Sequence, residues 1–285
     1  MTSAATERRF EQRLAELSAV WHEHSSRPPL AWVAAAVMWA AAPQQEITMI
    51  SERLNALADA LLQWAARHGL SQPLSIEAVA AGFVALGFRG NTEAYYDVRN
   101  SFLEDVITRR VGIPITLSVV FIELAQRFGL RCEGVNFPGH FLVRYSGPDG
   151  VGYLDPFHQC RWLDAEDLRQ LLCQVQGDQA QLRAEDLRVA QPVDIFLRML
   201  WNVYHVALNT KDWCTAVRAR RMQLVVSPDD PYARRDIGLL YLRLEHWSEA
   251  LSWLESQKRL TSSEAERQAL EPHITKAKKA LACWN

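Results

Sequence analysis

From Glu46 to Arg67 the apolar residues recur at Ile47, Ile50, Leu54, Leu57, Leu61 and Trp64. Steps of three and four draw one stripe down a helix, and His68-Gly69 supplies its stop. Upstream, Leu30 to Ala42 is an unbroken apolar stretch of 13 residues. It is shorter than the roughly 20 residues that span a bilayer and reads as a buried core helix. Together these predict an all-helical N-terminal region. Between Gly87 and Asn100 the pattern breaks: Gly87, Gly90 and Asn91 mark turns, and Tyr95 and Tyr96 add aromatic bulk suited to a surface. A helix is expected over Asn100 to Arg110 and another over Pro114 to Phe128. The second carries Leu117, Val120, Phe121, Leu124 and Phe128 on one side and closes at Gly129. Proline is well tolerated in a first helical turn, where its missing N–H had no intrahelical partner.

The period then shortens to that of strands, over Arg131–Asn136, Phe141–Tyr145 and Val151–Leu154. Ser146-Gly147-Pro148-Asp149-Gly150 between the last two is a strong turn signal. A hairpin centred near Pro148 sets residue 140 opposite residue 155 or 156, within about one residue of register. Because paired strands lie about 4.8 Å apart, the local pattern alone makes His140 and Asp155 neighbours.

From Pro192 onward the chain reads helical and repeats itself at 34 residues: Trp213 matches Trp247, Ala216 matches Ala250, Leu208 matches Leu242 and Val217 matches Leu251. That period, with a small residue at the tight crossing, is the signature of tetratricopeptide helix pairs. The second copy, Pro231 to Leu260, is the better one, with Gly238, Tyr241, Ala250 and Leu254 at the expected spacings. The first, Leu197 to Asp230, is degenerate, and Glu264 to Leu281 is expected to cap the array.

At 285 residues the chain is long enough for about two domains. Hydrophobic residues make up 49% and charged residues 22%, which argues against disorder. A net charge of −2 gives no global electrostatic reason to expect nucleic acid, and Lys276, Lys278 and Lys279 read as a solvated helix face. Cys132, Cys160, Cys173, Cys214 and Cys283 are odd in number and contain no CxxC pair, so neither a disulfide framework nor a zinc site is expected. A reducing cytoplasm fits this usage. Met1 to Phe10 has charges at Glu7, Arg8 and Arg9 and no apolar run, unlike a secretory signal.

One arrangement carries chemistry. Gly112-Ile113-Pro114 opens a helix, Ser118 follows four positions later, Gly129-Leu130 closes it, and His140 and then Asp155-Pro156 come on successive strands. With a cysteine at position 114 this resembles the transglutaminase-like superfamily, where an imidazole generates a thiolate and a carboxylate orients the ring. Here Pro114 stands at the nucleophile position. The resemblance is denser to the bacterial SirB-type proteins, through Gly87-Phe88-Arg89-Gly90-Asn91, Tyr96, Asn100-Ser101, Arg109-Arg110 and above all Gly134-Val135-Asn136-Phe137-Pro138-Gly139-His140-Phe141. In that branch Gly-Ile-Pro is the usual form. The chain departs from it after Asp155-Pro156-Phe157, where His158-Gln159-Cys160 replaces a glycine-rich turn.

The resemblance implies an α+β fold: residues 1–80 as the helical N-terminal part of the first domain, 81–190 as a transglutaminase-like (papain-like) core with a small antiparallel sheet, and 191–285 as tetratricopeptide-like helices. His140 and Asp155 are the retained candidate catalytic pair. Asn100, Ser101, Asn136, Ser118 and Cys160 are the candidate binding residues, with His158 and Cys160 placed to curl back toward the pocket. No metal or other cofactor is expected. The function expected is non-catalytic binding of a protein or peptide, with the repeats as a second surface and neither nucleic acid nor membrane as partner. The alternatives are a peptidase or amide hydrolase using a non-standard nucleophile or an activated water, and a structural or regulatory subunit of an obligate complex.

Overall fold

One helix organises the part of the chain that carries His140 and Asp155. Of the fourteen residues of Pro114–Arg127, eleven are buried, including Thr116 and Ser118 on the sides that the apolar stripe leaves out. The expected one-sided helix is therefore enclosed all round, as a helix at the centre of a domain must be. Its start is built by the sequence Gly112-Ile113-Pro114. Proline occupies the first turn, the Thr116 hydroxyl accepts the Ile113 N–H at 3.2 Å, and the same hydroxyl donates to the Asn100 carbonyl at 2.8 Å.

The computed structural model describes residues 4–24 and 28–283; Met1 to Ser3, the beginning of the charged N-terminal stretch, lie outside the described residues. Its helices in chain order are α1 (Ala4–Glu23), α2 (Leu30–Ala36), α3 (Ile50–Arg67), α4 (Ile76–Ala85), α5 (Leu103–Arg109), α6 (Pro114–Arg127), α7 (Ala165–Gln176), α8 (Pro192–Thr210), α9 (Trp213–Val226), α10 (Ala233–Arg243), α11 (Trp247–Leu260) and α12 (Glu264–Ala282). The strands are β1 (Arg89–Gly90), β2 (Val111–Gly112), β3 (Cys132–Val135), β4 (Leu142–Gly147), β5 (Gly150–Asp155) and β6 (Arg161–Leu163). This is an α+β fold, mostly helical, with small sheets. No helix among the described residues is long and apolar enough to cross a membrane.

The chain divides into two compact units that do not follow sequence order. One comprises Ser26–Met38 and Glu46–Met199, and the other Met1–Ser25, Trp39–Gln45 and Leu200–Asn285. Contacts within the second unit account for its discontinuous make-up. Arg13 of α1 donates to the carbonyls of Pro43 and Gln45 at 3.1 and 2.9 Å and lies over the Trp39 ring at 4.7 Å. Arg221 of α9 pairs with Glu7 and Glu11 of α1 at 3.0 and 2.7 Å. The apolar run Leu30 to Ala42 is accordingly not one helix. It breaks after Ala36 into a 3-10 turn, Val37–Ala40, and the boundary between the units falls inside this turn, between Met38 and Trp39.

In the first unit α6 packs against α2, α3, α4, α5, β3 and β4. Phe83 stacks on Phe88 with ring centroids 4.3 Å apart, and Phe121 of α6 meets Phe83 edge-on at 5.4 Å. Beside this core, β3 to β6 form a four-stranded antiparallel meander, and β1 pairs with β2 in parallel over two residues each. β6 adds an edge strand beyond the three expected. Val135, Phe137, Leu142 and Leu163 cover α7 through Leu168 and Leu172. Asp164 caps α7 by accepting the N–H groups of Glu166 and Asp167, each at 2.9 Å.

In the second unit α9, α10, α11 and α12 pack in sequence, each against the next. α9 and α11 are both fourteen residues long and begin at the two repeat tryptophans, Trp213 and Trp247. Gly238 of α10 faces Leu254 of α11 so closely that a Cβ there would lie 2.6 Å from Leu254 Cγ. Gly238→Val is expected to lower stability by about 1–3 kcal/mol through overpacking, read as a lower urea midpoint with unchanged helix content by circular dichroism.

Candidate functional site

His140 is positioned by the loop that leaves β3 and enters β4. Gly139 holds φ +69°, and a Cβ there would come within 2.3 Å of Val175 Cγ2, so glycine is required by both backbone and space. Arg198 of α8 fastens the loop from outside: it donates to Asn136 Oδ1 and, at 3.1 Å, to the Phe137 carbonyl, and lies over the Phe141 ring at 5.7 Å. Burial pushes the Arg198 guanidinium down from its ordinary pKa, with Tyr95 acting the other way. Asn136 is thus engaged in holding the loop.

Asp155 ends β5 and caps the 3-10 turn Pro156–His158. Its Oδ1 accepts the N–H groups of Phe157 at 3.0 Å and His158 at 3.4 Å. Its Oδ2 meets two imidazoles, His140 Nε2 at 2.8 Å and His158 Nδ1 at 2.6 Å. The β4–β5 register pairs Val143 with Leu154 and Gly147 with Gly150, so the residue opposite Asp155 is 142. The turn is the two residues Pro148-Asp149, half a residue later than expected, and His140 sits just before β4 and reaches Asp155 with its ring. The turn carrying Asp155 and His158 packs on β1: a Cβ on Gly90 would lie 2.7 Å from both the Phe157 ring and its carbonyl oxygen.

Burial raises the Asp155 carboxyl pKa, but the hydrogen bonds and charges of His140 and His158 outweigh it and hold the group below its ordinary value. An ionised carboxylate only accepts hydrogen bonds, so each ring nitrogen facing Oδ2 carries a proton. The two rings lie 5.8 Å apart, nearly parallel, with Phe157 edge-on to His140 at 6.1 Å. Tyr95 extends this aromatic edge to Phe157 at 6.2 Å, and Tyr96 beside it is 72% exposed. A cleft of about 450 Å³ adjoins Asp155 and His158, walled by Arg161, Leu163, Asp167 and Gln170.

The remaining sequence candidates fall in supporting places. Asn100 is fully buried; it donates to the carbonyls of Ala94 and Tyr95 at 2.8 and 3.1 Å and accepts from Asn91 at 3.0 Å and Arg109 at 3.3 Å, clamping the tyrosine loop. Ser101 is buried at the end of the 3-10 turn Val98–Ser101 that follows this loop. Ser118 is fully buried and its hydroxyl donates to the Phe141 carbonyl at 3.4 Å. Pro114 is buried in the first turn of α6. Cys160 is buried, and burial followed by the charge of Asp155 pushes its thiol pKa well up; burial pushes Cys132 up to about 12. Gln159 and Cys160 hold φ of 56° and 54°, in the left-handed region that favours glycine.

Two residues lay outside the sequence candidates. His158 was placed only alongside Cys160, though its position three residues after a capping aspartate is the available signal. Arg198 lies 62 residues from Asn136 and leaves no local trace. Among the described residues, His140, Asp155 and His158 are the set whose ligand atoms converge closely enough to hold a metal ion.

The lowered Asp155 pKa has a definite sign. A carboxyl whose folded value lies below its unfolded value of about 3.9 contributes stability above that pH, which is lost as pH falls through the folded value. Urea midpoints measured from about pH 7 to about pH 3 should therefore fall in the wild type. In Asp155→Asn they should start lower and decline less over the acid part of that range.

The description "Transglutaminase-like superfamily" belongs to the family model that matches residues 44–201. A UPF0162 protein of Xylella fastidiosa (strain Temecula1) is 44% identical over 184 residues, 64% of this chain and 66% of that protein. F-box only protein 21 of Mus musculus is 36% identical over 97 residues, 31% of this chain and 16% of that protein. The match thus spans less than two thirds of either relative's length. Menin, in a crystal structure that reveals its binding site for Mixed Lineage Leukemia protein, aligns over 91% of this chain and 73% of its own at 10% identity and a TM-score of 0.36, too distant to carry an argument. The family model covers more than half of the chain, including Pro114, His140, Asp155 and His158, and the protein belongs to the transglutaminase-like superfamily.

Proposed function

We propose that this chain is a SirB-type transglutaminase-like protein whose core, about residues 81–190, binds a protein or peptide partner without covalent thiol catalysis. Its C-terminal helices, about 191–285, act as tetratricopeptide-like pairs offering a second contact surface in the cytoplasm. One observation carries this reading: Pro114 is buried in the first turn of α6, at the position where the superfamily pattern has its cysteine. Proline brings no side-chain nucleophile or donor to that place. The hydroxyl one turn on, Ser118, is bonded to a backbone carbonyl, and burial raises the Cys160 thiol pKa, which disfavours the reactive thiolate. Around the imidazoles the aromatic edge of Phe157, Tyr95 and Tyr96 gives a peptide both apolar area and polar tips.

A second reading, amide hydrolysis by an activated water, is favoured by His158. A carboxylate gripping two imidazoles orients both rings, and that of His158 is half-exposed to solvent.

The proposal is tested by incubating the native full chain with an activated peptide thioester and with iodoacetamide, followed by peptide mass spectrometry. No acyl adduct should form within the core, and Cys160 should be alkylated only after denaturation. An acyl adduct that is lost in His140→Ala contradicts the non-covalent reading. Steady peptide hydrolysis that is lost in both His140→Ala and His158→Ala, without an adduct, selects the second.

A further inference from the structure

We infer that His140 Nε2, Asp155 Oδ2 and His158 Nδ1 form a binding site for a first-row divalent metal ion of the zinc class. The three residues each offer a ligand atom within 4.8 Å of the others, and Asp155 Oδ2 is 2.8 Å from His140 Nε2 and 2.6 Å from His158 Nδ1. Two imidazoles and one carboxylate oxygen are the borderline donor set such ions take, and three protein ligands leave a further position for water.

The carboxylate is prepared for one ligand bond. Its Oδ1 is held by the N–H groups of Phe157 and His158, which aims Oδ2 at the two rings. Asp155 is 1% exposed, and both partners of Oδ2 are imidazoles. The imidazoles reach this buried carboxylate through hydrogen bonds, whereas a divalent ion would bond to it directly and offset its charge. Metal–ligand bonds of about 2.0–2.2 Å require the 2.6 and 2.8 Å contacts to open by roughly half an ångström. His158 has its side chain 55% exposed at the edge of the cleft and can make that movement. Exposure rises from Asp155 through His140 to His158, so the water position faces the cleft.

Binding needs a lone pair on each facing nitrogen: the proton there passes to solvent, and each ring keeps its N–H on the other nitrogen, Nδ1 of His140 and Nε2 of His158.

The test uses the chelator-treated full chain titrated with Co²⁺, followed by visible d–d absorption and calorimetry, with Zn²⁺ as competitor. The expected result is one site per chain with a low-symmetry Co²⁺ band that Zn²⁺ abolishes. His158→Ala and His140→Ala should each weaken binding by at least about tenfold, while Cys283→Ser, at an exposed thiol, leaves it unchanged. His158 is exposed, so its variant retains the fold, checked by circular dichroism. Absence of a Co²⁺ band, or affinity unchanged in both histidine variants, overturns the assignment. A band lost in Cys283→Ser identifies thiol binding and overturns it equally.

Discussion

A carboxylate withdrawn from water must be satisfied on both oxygens, and much of the first unit is arranged around this demand at Asp155. An uncompensated buried charge costs several kcal/mol, so the turn Pro156–His158 exists in the form that supplies two N–H groups to Oδ1. Oδ2 is left for rings arriving from two directions. One is carried by the same turn, and the other by a loop that can approach only because Gly139 is left-handed and Arg198 holds its carbonyl side. Gly90 leaves room for Phe157, and so fixes how deeply the turn sits.

The same geometry limits the chemistry. In a thiol enzyme the imidazole must face both a carboxylate and a sulfur, and α6 would present the sulfur from its first turn. That turn is intact here: Gly112, Ile113 and Thr116 build it with the hydrogen bonds described above. What stands in it is Pro114. The helix start, the histidine and the aspartate thus stand together around a proline, and the reading proposed above rests on that arrangement. Asp155 holds a second imidazole as well, that of His158 at 2.6 Å.

Much of this was legible in the sequence because the signals were local. A five-residue turn flanked by alternating segments brought His140 and Asp155 together within two residues of register, and proline in a first turn marked the start of α6. What escaped depended on contacts between distant segments. β6 is three residues long with Arg161 and Trp162 both exposed, so it lacks an apolar pattern and exists through pairing with β5. The all-round burial of α6 is set by the elements packed on it, not by its own stripe. The interleaved units follow from Arg13 capturing Trp39 to Gln45, which breaks an apolar run that periodicity alone reads as continuous.

The central claim, that one ionised carboxylate holds two imidazoles by different nitrogens, is tested most directly by ¹⁵N-detected NMR of the histidine rings in chelator-treated protein at neutral pH. The account predicts a slowly exchanging Nε2–H on His140 and a Nδ1–H on His158, both lost as ordered protons in Asp155→Asn. Rings sharing one tautomer, or both exchanging freely with solvent, would contradict it.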